Sequence, residues 1–254
     1  MLILLPPSEG KTAPASGDPL DLGSLHLTEL NPTRERLLTS LIAVSAGNEK
    51  RAMTRLGLGK TQADALPRNA NLRAEPTGRA DAVYTGVLYA ALDFATLSEA
   101  ARVRADESVA VVSALFGLVR PGDHIPAYRL SGDVMLPRLG SVAGIWRKKL
   151  GPVLADLVGD GLLIDLRSGM YVNLHKPAGE LADRTATIRV LHEHNGTRKV
   201  VSHFNKATKG RIVRALLEDG TNPSTVDELE TALGDLGWTV ERAGNRLDVV
   251  VAEI

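Results

Sequence analysis

The chain contains no cysteine, which excludes disulfides, thiol catalysis, thiolate zinc sites and iron–sulfur ligation by its own residues. It also lacks a net charge, because thirty basic and thirty acidic residues cancel. Total charge therefore points to no particular partner, and a nucleic-acid function needs basic residues gathered on one face. No run approaches the roughly 18 apolar residues of a membrane span. The apolar start, MLILL, has no basic region before it and no cleavage-like site, so the expectation is a cytoplasmic protein without a leader or membrane contact. What is present is the balance of an ordinary globular protein, 44% hydrophobic and 24% charged, which suffices for a substantial core. Glycine- and proline-rich breaks are distributed and no repeat appears, so residues 1–254 are read as one domain.

Met1 to Leu5 is a continuous apolar run closed by Pro6-Pro7, the pattern of a buried strand. Pro6 to Thr12 then forms a loop. Its Gly10-Lys11-Thr12 ending is shared with phosphate-binding P-loops, but the first glycine of that motif falls on Leu5, and loop-forming residues follow Thr12. Ser8, Glu9 and Lys11 on a strand-end loop still suit an anion, held by exposed amides and the lysine. Helices are predicted over 32–46 and over 49–56. Leu56-Gly57-Leu58-Gly59 follows, the hydrophobic-Gly-hydrophobic-Gly turn of a helix-hairpin-helix element at about 49–70. Gly57 and Gly59 let backbone approach a phosphate, the following helix offers its N-terminal amides, and Lys60 and Thr61 stand where phosphate contacts are useful. The plain alternative is a glycine helix cap followed by a loop.

Residues 67–80 read as a polar linker with three arginines and Glu75 as their nearby carboxylate. A short strand is predicted from Ala82 into a turn at Gly86, a helix over 87–92, and a further helix over 96–105 capped by Thr96. Val109 to Val112 is a buried strand. A tight Ser-Ala-Leu-Phe-Gly turn follows it, and then a polar cluster of Arg120, Asp123, His124, Tyr128, Arg129 and Asp133. Pro121, Gly122 and Pro126 keep that cluster on a restrained loop. Such a loop is either a site or a scaffold whose charges pair with each other.

In the second half, Leu139 to Val158 includes an amphipathic helix around Ile145–Leu150. Leu162 to Leu166 is a strand, and Met170 to Leu174 restarts in extended form. Thr185–His192 and Arg198–Phe204 alternate as two paired strands, with Asn195-Gly196 as their turn. A helix carrying Ile212, Val213, Ala215, Leu216 and Leu217 comes next. A capped helix from Thr225 and a hairpin turning at Gly244-Asn245 close the chain.

None of the six histidines has metal-clamp spacing, and His192-Glu193-His194 projects to opposite faces of a strand. No metal and no cofactor is implied. No G-x-S-x-G turn identifies a serine nucleophile, and spacing does not pair Asp93, Asp123, Asp133 and Asp165 into acid–base partners. The informative pattern is a set of basic and polar residues placed just after predicted strands: Lys11; Arg120 and Arg129; Asn173 and Lys176; Lys206, Lys209 and Arg211. If those strands share a sheet and a direction, these residues line one basic cleft that suits phosphate or nucleic acid.

Six segments, MLILLPPSEGKT, DAVYTGVLYAALD, SALFGLVRPGDHIPAYRL, GIWRKKL, YVNLHKP and VSHFNKATKGRIVRAL, occur in the order seen in the YaaA family of peroxide-stress proteins, which the chain resembles over almost its whole length. The resemblance implies a mixed α/β fold: a single domain with a central mixed sheet surrounded by helices, a helix-hairpin-helix element and a basic cleft. It also implies binding to double-stranded or distorted DNA and a part in limiting peroxide and iron damage. Matching positions would put Lys11, Arg120, Tyr128, Arg129, Lys176 and Lys206 in the cleft. Beside this DNA-binding reading stands an enzyme acting on a nucleotide-like or phosphorylated small molecule, held by Ser8, Lys11, Arg120 and Arg129, with Asp93, Tyr128 or Asn173 doing polar chemistry. Direct iron chelation is weakest, since no ligand cluster has the spacing. No catalytic residue is identified, and nothing bears on oligomeric state.

Overall fold

The computed structural model describes residues 1–194 and 197–252. An eight-stranded sheet organises them. Its strands in chain order are β1 (Leu2–Leu5), β2 (Val109–Ser113), β3 (Gly117–Val119), β4 (Leu163–Asp165), β5 (Thr185–His194), β6 (Thr197–Lys199), β7 (Thr239–Ala243) and β8 (Arg246–Ala252). Their spatial order is β7-β8-β5-β4-β1-β2-β3, with β6 on β5 beyond the end of β4. The five inner strands, β8 through β2, run parallel, while β3, β6 and β7 are antiparallel additions. This is the mixed sheet expected. Every residue of β1, β2 and β4 is buried, as strands covered on both faces require, and that is why they read as unbroken apolar runs.

The helices that position the site are α1 (Asn31–Ser45), α2 (Glu49–Leu56), α3 (Ala65–Ala70), α4 (Val87–Leu92), α5 (Glu99–Ser108), α6 (Val142–Arg147), α7 (Leu150–Val158), α8 (Ser202–Asp219) and α9 (Val226–Asp235). Gly210 decides how closely α8 meets α4. A Cβ there would lie 2.3 Å from the Leu88 carbonyl oxygen and 3.0 Å from Ala91 Cβ, so only glycine permits this backbone approach. Trp146 of α6 covers the β2–β3 turn, donating from Nε1 to the Ala114 carbonyl at 2.8 Å. Its ring occupies the space a side chain at Gly117 would need, and Gly117 has φ +76°. Fully buried Arg34 ties α1 to the same hairpin. Its guanidinium donates to the carbonyls of Phe116 (2.9 Å) and Leu118 (2.8 Å) and to Asn31 Oδ1 (2.8 Å).

Several local expectations are corrected by tertiary contacts. Ala82–Tyr84 is not a strand. Residues 80–83 form a helical turn, because the Ala80 and Asp81 amides donate to the carbonyls of Asp123 and Pro121. Residues 67–80 are not a free linker either: they include most of α3, and their arginines pair with carboxylates remote from Glu75. Arg68 meets Asp64, Arg73 meets Glu35, and Arg79 meets Asp81 and Asp106. The helix cap expected at Thr96 belongs to Ser98, whose Oγ accepts from the Ala101 amide at 3.2 Å. Thr96 is held by Asp93 instead.

The segment read as an extended Met170–Leu174 is a helical turn at Gly169–Val172. It wraps a buried guanidinium, since Arg167 donates to the Tyr171 and His175 carbonyls. The strand expected over 198–204 ends at Lys199, and Ser202–Phe204 already form the first turn of α8. The Asn195-Gly196 turn lies outside the described residues, although Thr197 does pair with His194.

The turn after α2 is a glycine-capped stop. Gly57 sits at φ 64°, and the Leu58 amide returns to the Met53 carbonyl at 2.9 Å, the bond that closes a helix on a left-handed residue. A 3-10 turn at Lys60–Gln62 and the six-residue α3 follow. Two short helices on a glycine turn are present there; a DNA-binding hairpin is a functional statement about them, as is a basic cleft.

Candidate functional site

The carboxyl ends of β1, β2 and β4 meet where the strand order runs outward from β1 in both directions, the usual place for a ligand in an open parallel sheet. A half-enclosed cavity of about 380 Å³ opens there. Its walls come from the Pro6–Lys11 loop, the Thr85–Tyr89 entry to α4, the Arg129–Ser131 segment, Ser168 with Met170 and Tyr171, and Lys206 of α8.

Local bonds hold the first loop in shape. Ser8 Oγ donates to the Gly10 carbonyl (2.5 Å) and accepts from the Thr85 amide (2.9 Å), so its hydroxyl is committed to the loop. Lys11 pairs as an isolated bridge with Tyr84, and its ammonium donates to the Ser8 carbonyl at 2.8 Å. The same Nζ lies 4.3 Å from the ring centre of Tyr128 and 5.3 Å from that of Tyr84. Burial and then the neighbouring Arg129 charge push the Lys11 amine down to about 7, while Glu9 pulls it up. The negative faces of the two rings also favour the charged form.

Beneath Lys11 runs a chain of hydroxyls. Ser113 Oγ accepts from the amides of Leu115 (3.2 Å) and Phe116 (2.9 Å). Its proton then goes to the Tyr128 hydroxyl 2.7 Å away, and the Tyr128 proton to the Tyr84 hydroxyl at 3.0 Å. That direction follows from donor counting, since an oxygen already accepting two amides has its own proton to give. Tyr89 donates to the Pro6 carbonyl at 2.8 Å. Burial raises all four phenols, Tyr84, Tyr89, Tyr128 and Tyr171, above the ordinary value, so each is neutral and able to donate near pH 7. These are the chain's only tyrosines.

Arg129 is anchored on both sides. Its backbone exchanges two hydrogen bonds with buried Asn69 (2.9 and 2.8 Å), and its guanidinium donates to the Glu9 carbonyl (3.0 Å) and to Glu9 Oε2 (3.1 Å). Next to the cavity, Lys209 donates to the Leu166 carbonyl at 3.3 Å, and burial lowers its amine against the pull of Asp165. Asp165 itself is locked to Arg167 at 2.6 Å in a pair almost wholly removed from water.

The fourteen residues expected at the site therefore separate. Ser8, Lys11, Arg129 and Lys206 line the cavity, and Tyr128 forms the ring beneath Lys11. Lys209 does not line it but is bonded to the Leu166 carbonyl, and Asn173, Lys176 and Arg211 are exposed and do not line it either. Arg120 lies at the wrong end of the sheet. Its Nη1 donates to the carbonyl of Val109, the first residue of β2, at 3.1 Å, while the cavity is at the last. Asp123 is structural too, accepting from the amides of Arg120 (2.7 Å) and His26 (2.9 Å). Gly57, Gly59, Lys60 and Thr61 belong to the separate α2–α3 turn.

Tyr84, Tyr89, Tyr171, Ser113 and Gly86 were missed as site residues. Rarity is the available signal, because a chain with four tyrosines sets two against Lys11 and the other two in the wall of the same cavity. Among the described residues no group of three histidines, aspartates or glutamates is arranged to hold a metal ion, and no helix is long and apolar enough to cross a membrane.

Comparison with known proteins gives the family. A profile of the family described as peroxide stress protein YaaA matches residues 1–243. The chain is 50% identical to a UPF0246 protein of Streptomyces coelicolor, covering 100% of both chains. It is 42% identical to a UPF0246 protein of Corynebacterium efficiens over 95% of each, and 36% identical to one of Corynebacterium glutamicum over 98% of each. The chain belongs to the YaaA family of peroxide-stress proteins.

Proposed function

We propose that this chain serves the peroxide-stress response by binding double-stranded or distorted DNA, with the strand-end cavity as an anion site, and thereby limits peroxide and iron damage to it. One observation carries the reading: three basic side chains, Lys11, Arg129 and Lys206, converge on a cavity whose single lining carboxylate among the described residues, Glu9, is already bonded to Arg129. The surplus positive charge suits a phosphate, and Gly86, at φ +99°, stands in the same wall. A second contact is the α2–α3 turn, where a Cβ at Gly57 would meet nothing within 4 Å and the exposed Lys60 and Thr61 follow.

Gel shifts with duplex and bulged DNA at two salt concentrations test this. Affinity should fall steeply with salt. Lys206→Glu and Lys60→Glu should each weaken binding across all sequences and lower the salt slope by about one. No binding, or binding indifferent to salt, refutes it. The compactness of the cavity, about 380 Å³, favours a second reading in which an enzyme takes a nucleotide-like or phosphorylated small molecule there. A thermal-shift screen with nucleotides and sugar phosphates, repeated on Lys206→Glu, separates the two.

A further inference from the structure

We propose that Lys11 is a nucleophile that forms an imine with the aldehyde of a phosphorylated sugar bound in the strand-end cavity. The inference rests on the phosphate-site reading above and names the chemistry of that site.

A lysine that only grips phosphate has little use for the surroundings Lys11 has. Its Nζ gives one hydrogen bond, to the Ser8 carbonyl, and among the described residues it makes no ion pair. Two tyrosine rings crowd it, at 4.3 and 5.3 Å, and strip away water. Glu9, whose charge still favours the ammonium, is bonded to Arg129, so Lys11 has a second cation beside it and makes no ion pair of its own among the described residues. Desolvation beside a second positive group is the arrangement that turns a lysine into an amine nucleophile toward carbonyls. The shift of its amine toward neutrality agrees with this geometry. Lys206, with Arg129 across the same cavity, remains to hold the phosphate, leaving Lys11 free for the sugar.

The steps balance. The neutral amine's lone pair attacks the aldehyde carbon, and the proton the nitrogen gives up passes to the carbonyl oxygen, giving a neutral carbinolamine. That hydroxyl then leaves as water with a proton from the cavity wall while the nitrogen lone pair forms the C=N bond, and the iminium's N–H proton returns to the donor to leave the neutral imine. Tyr171 is placed for the donation. It lines the cavity, burial keeps its phenol protonated, and its hydroxyl makes no hydrogen bond among the described residues. No oxidant or reductant is needed.

Two sources offer such an aldehyde: the opened sugar of an abasic site in DNA, and a free sugar phosphate. Wild-type protein is incubated at neutral pH with sodium cyanoborohydride, which reduces an imine to a stable secondary amine. The arms contain a duplex with one abasic site, the same duplex intact, or glyceraldehyde 3-phosphate, and peptide mass spectrometry locates the adduct. The expected result is at least tenfold preference for Lys11 over any other lysine in an aldehyde arm, none with intact duplex, and loss of the adduct in Lys11→Arg. The arm that labels identifies the source. Absence of an adduct from both aldehyde arms, or labelling spread over surface lysines, overturns the proposal, and wild-type mapping decides this even if the variant fails to fold. Binding of each duplex is measured alongside. Binding without an adduct removes the imine and leaves the phosphate site, whereas loss of all binding removes both.

Discussion

The environment of Lys11 makes a strong prediction about pH. A lysine of ordinary pKa, 10.5, is neutral in about one molecule in three thousand at pH 7, whereas one lowered to about 7 is half neutral. The sign for stability follows from proton counting. Between about pH 7 and 10.5 the unfolded chain binds a proton at this position that the folded chain has released, so folding stability contributed here rises with pH across that window. Below about pH 7 both states are protonated, and the penalty for burying the ammonium is present in full. The whole shift corresponds to about 5 kcal/mol; partial exposure of Lys11 and its contacts with two aromatic faces reduce this to on the order of 2–3 kcal/mol. Urea denaturation at pH 7 and pH 10, on wild type and Lys11→Met, measures the term as a difference of slopes. Competitive acetylation against a lysine peptide should place half-maximal reactivity of Lys11 near pH 7. Arg129→Gln should raise that midpoint by removing the adjacent cation. Equal pH slopes in wild type and Lys11→Met, with a labelling midpoint near 10, refute the reasoning.

Three further outcomes follow from contacts described above. In the hydroxyl chain, Ser113→Ala strands two amides and a phenol, Tyr128→Phe strands two hydroxyls, and Tyr84→Phe only shortens the chain. Chemical denaturation should rank their losses in that order, with Tyr128→Phe at about 1–3 kcal/mol. Gly210→Ala should destabilise by about 3 kcal/mol or more, because its Cβ meets backbone of α4 that cannot swing away; an unchanged melting temperature would show that α8 and α4 do not cross this closely. Arg34→Met should lose about 3–5 kcal/mol despite its similar volume, since the Phe116 and Leu118 carbonyls are left without their buried donors.

Placement after a strand brings some of the basic residues to the cavity and leaves others, Arg120, Asn173, Lys176 and Arg211 among them, away from it. Lys11, Arg129 and Lys206 follow strands or open a helix beside them, so proximity in sequence carried over into proximity in space. Arg120 also follows a strand, but β3 turns back antiparallel to β2, and the residue after it returns to the start of the sheet. Val109–Asp133 is accordingly half scaffold, around Arg120 and Asp123, and half site, around Tyr128 and Arg129. Tyr171 was mistaken for part of a strand because alternation is blind to Arg167, whose guanidinium gathers the surrounding carbonyls into a turn. The tyrosines converge from four separate stretches of chain, and no local pattern reports that.

The sequence by itself determined the absence of a membrane-length apolar run, the buried parallel strands β1, β2 and β4, the glycine stop after Leu56, and the family, since each is written in consecutive residues whose periodicity or motif has a local physical cause. Only the tertiary structure decided which basic residues share a cavity, which arginines are spent on neighbouring carboxylates, and that Lys11 sits against two tyrosine rings with no ion pair among the described residues. Those properties depend on strand direction and on burial, and both are set by partners distant in the chain.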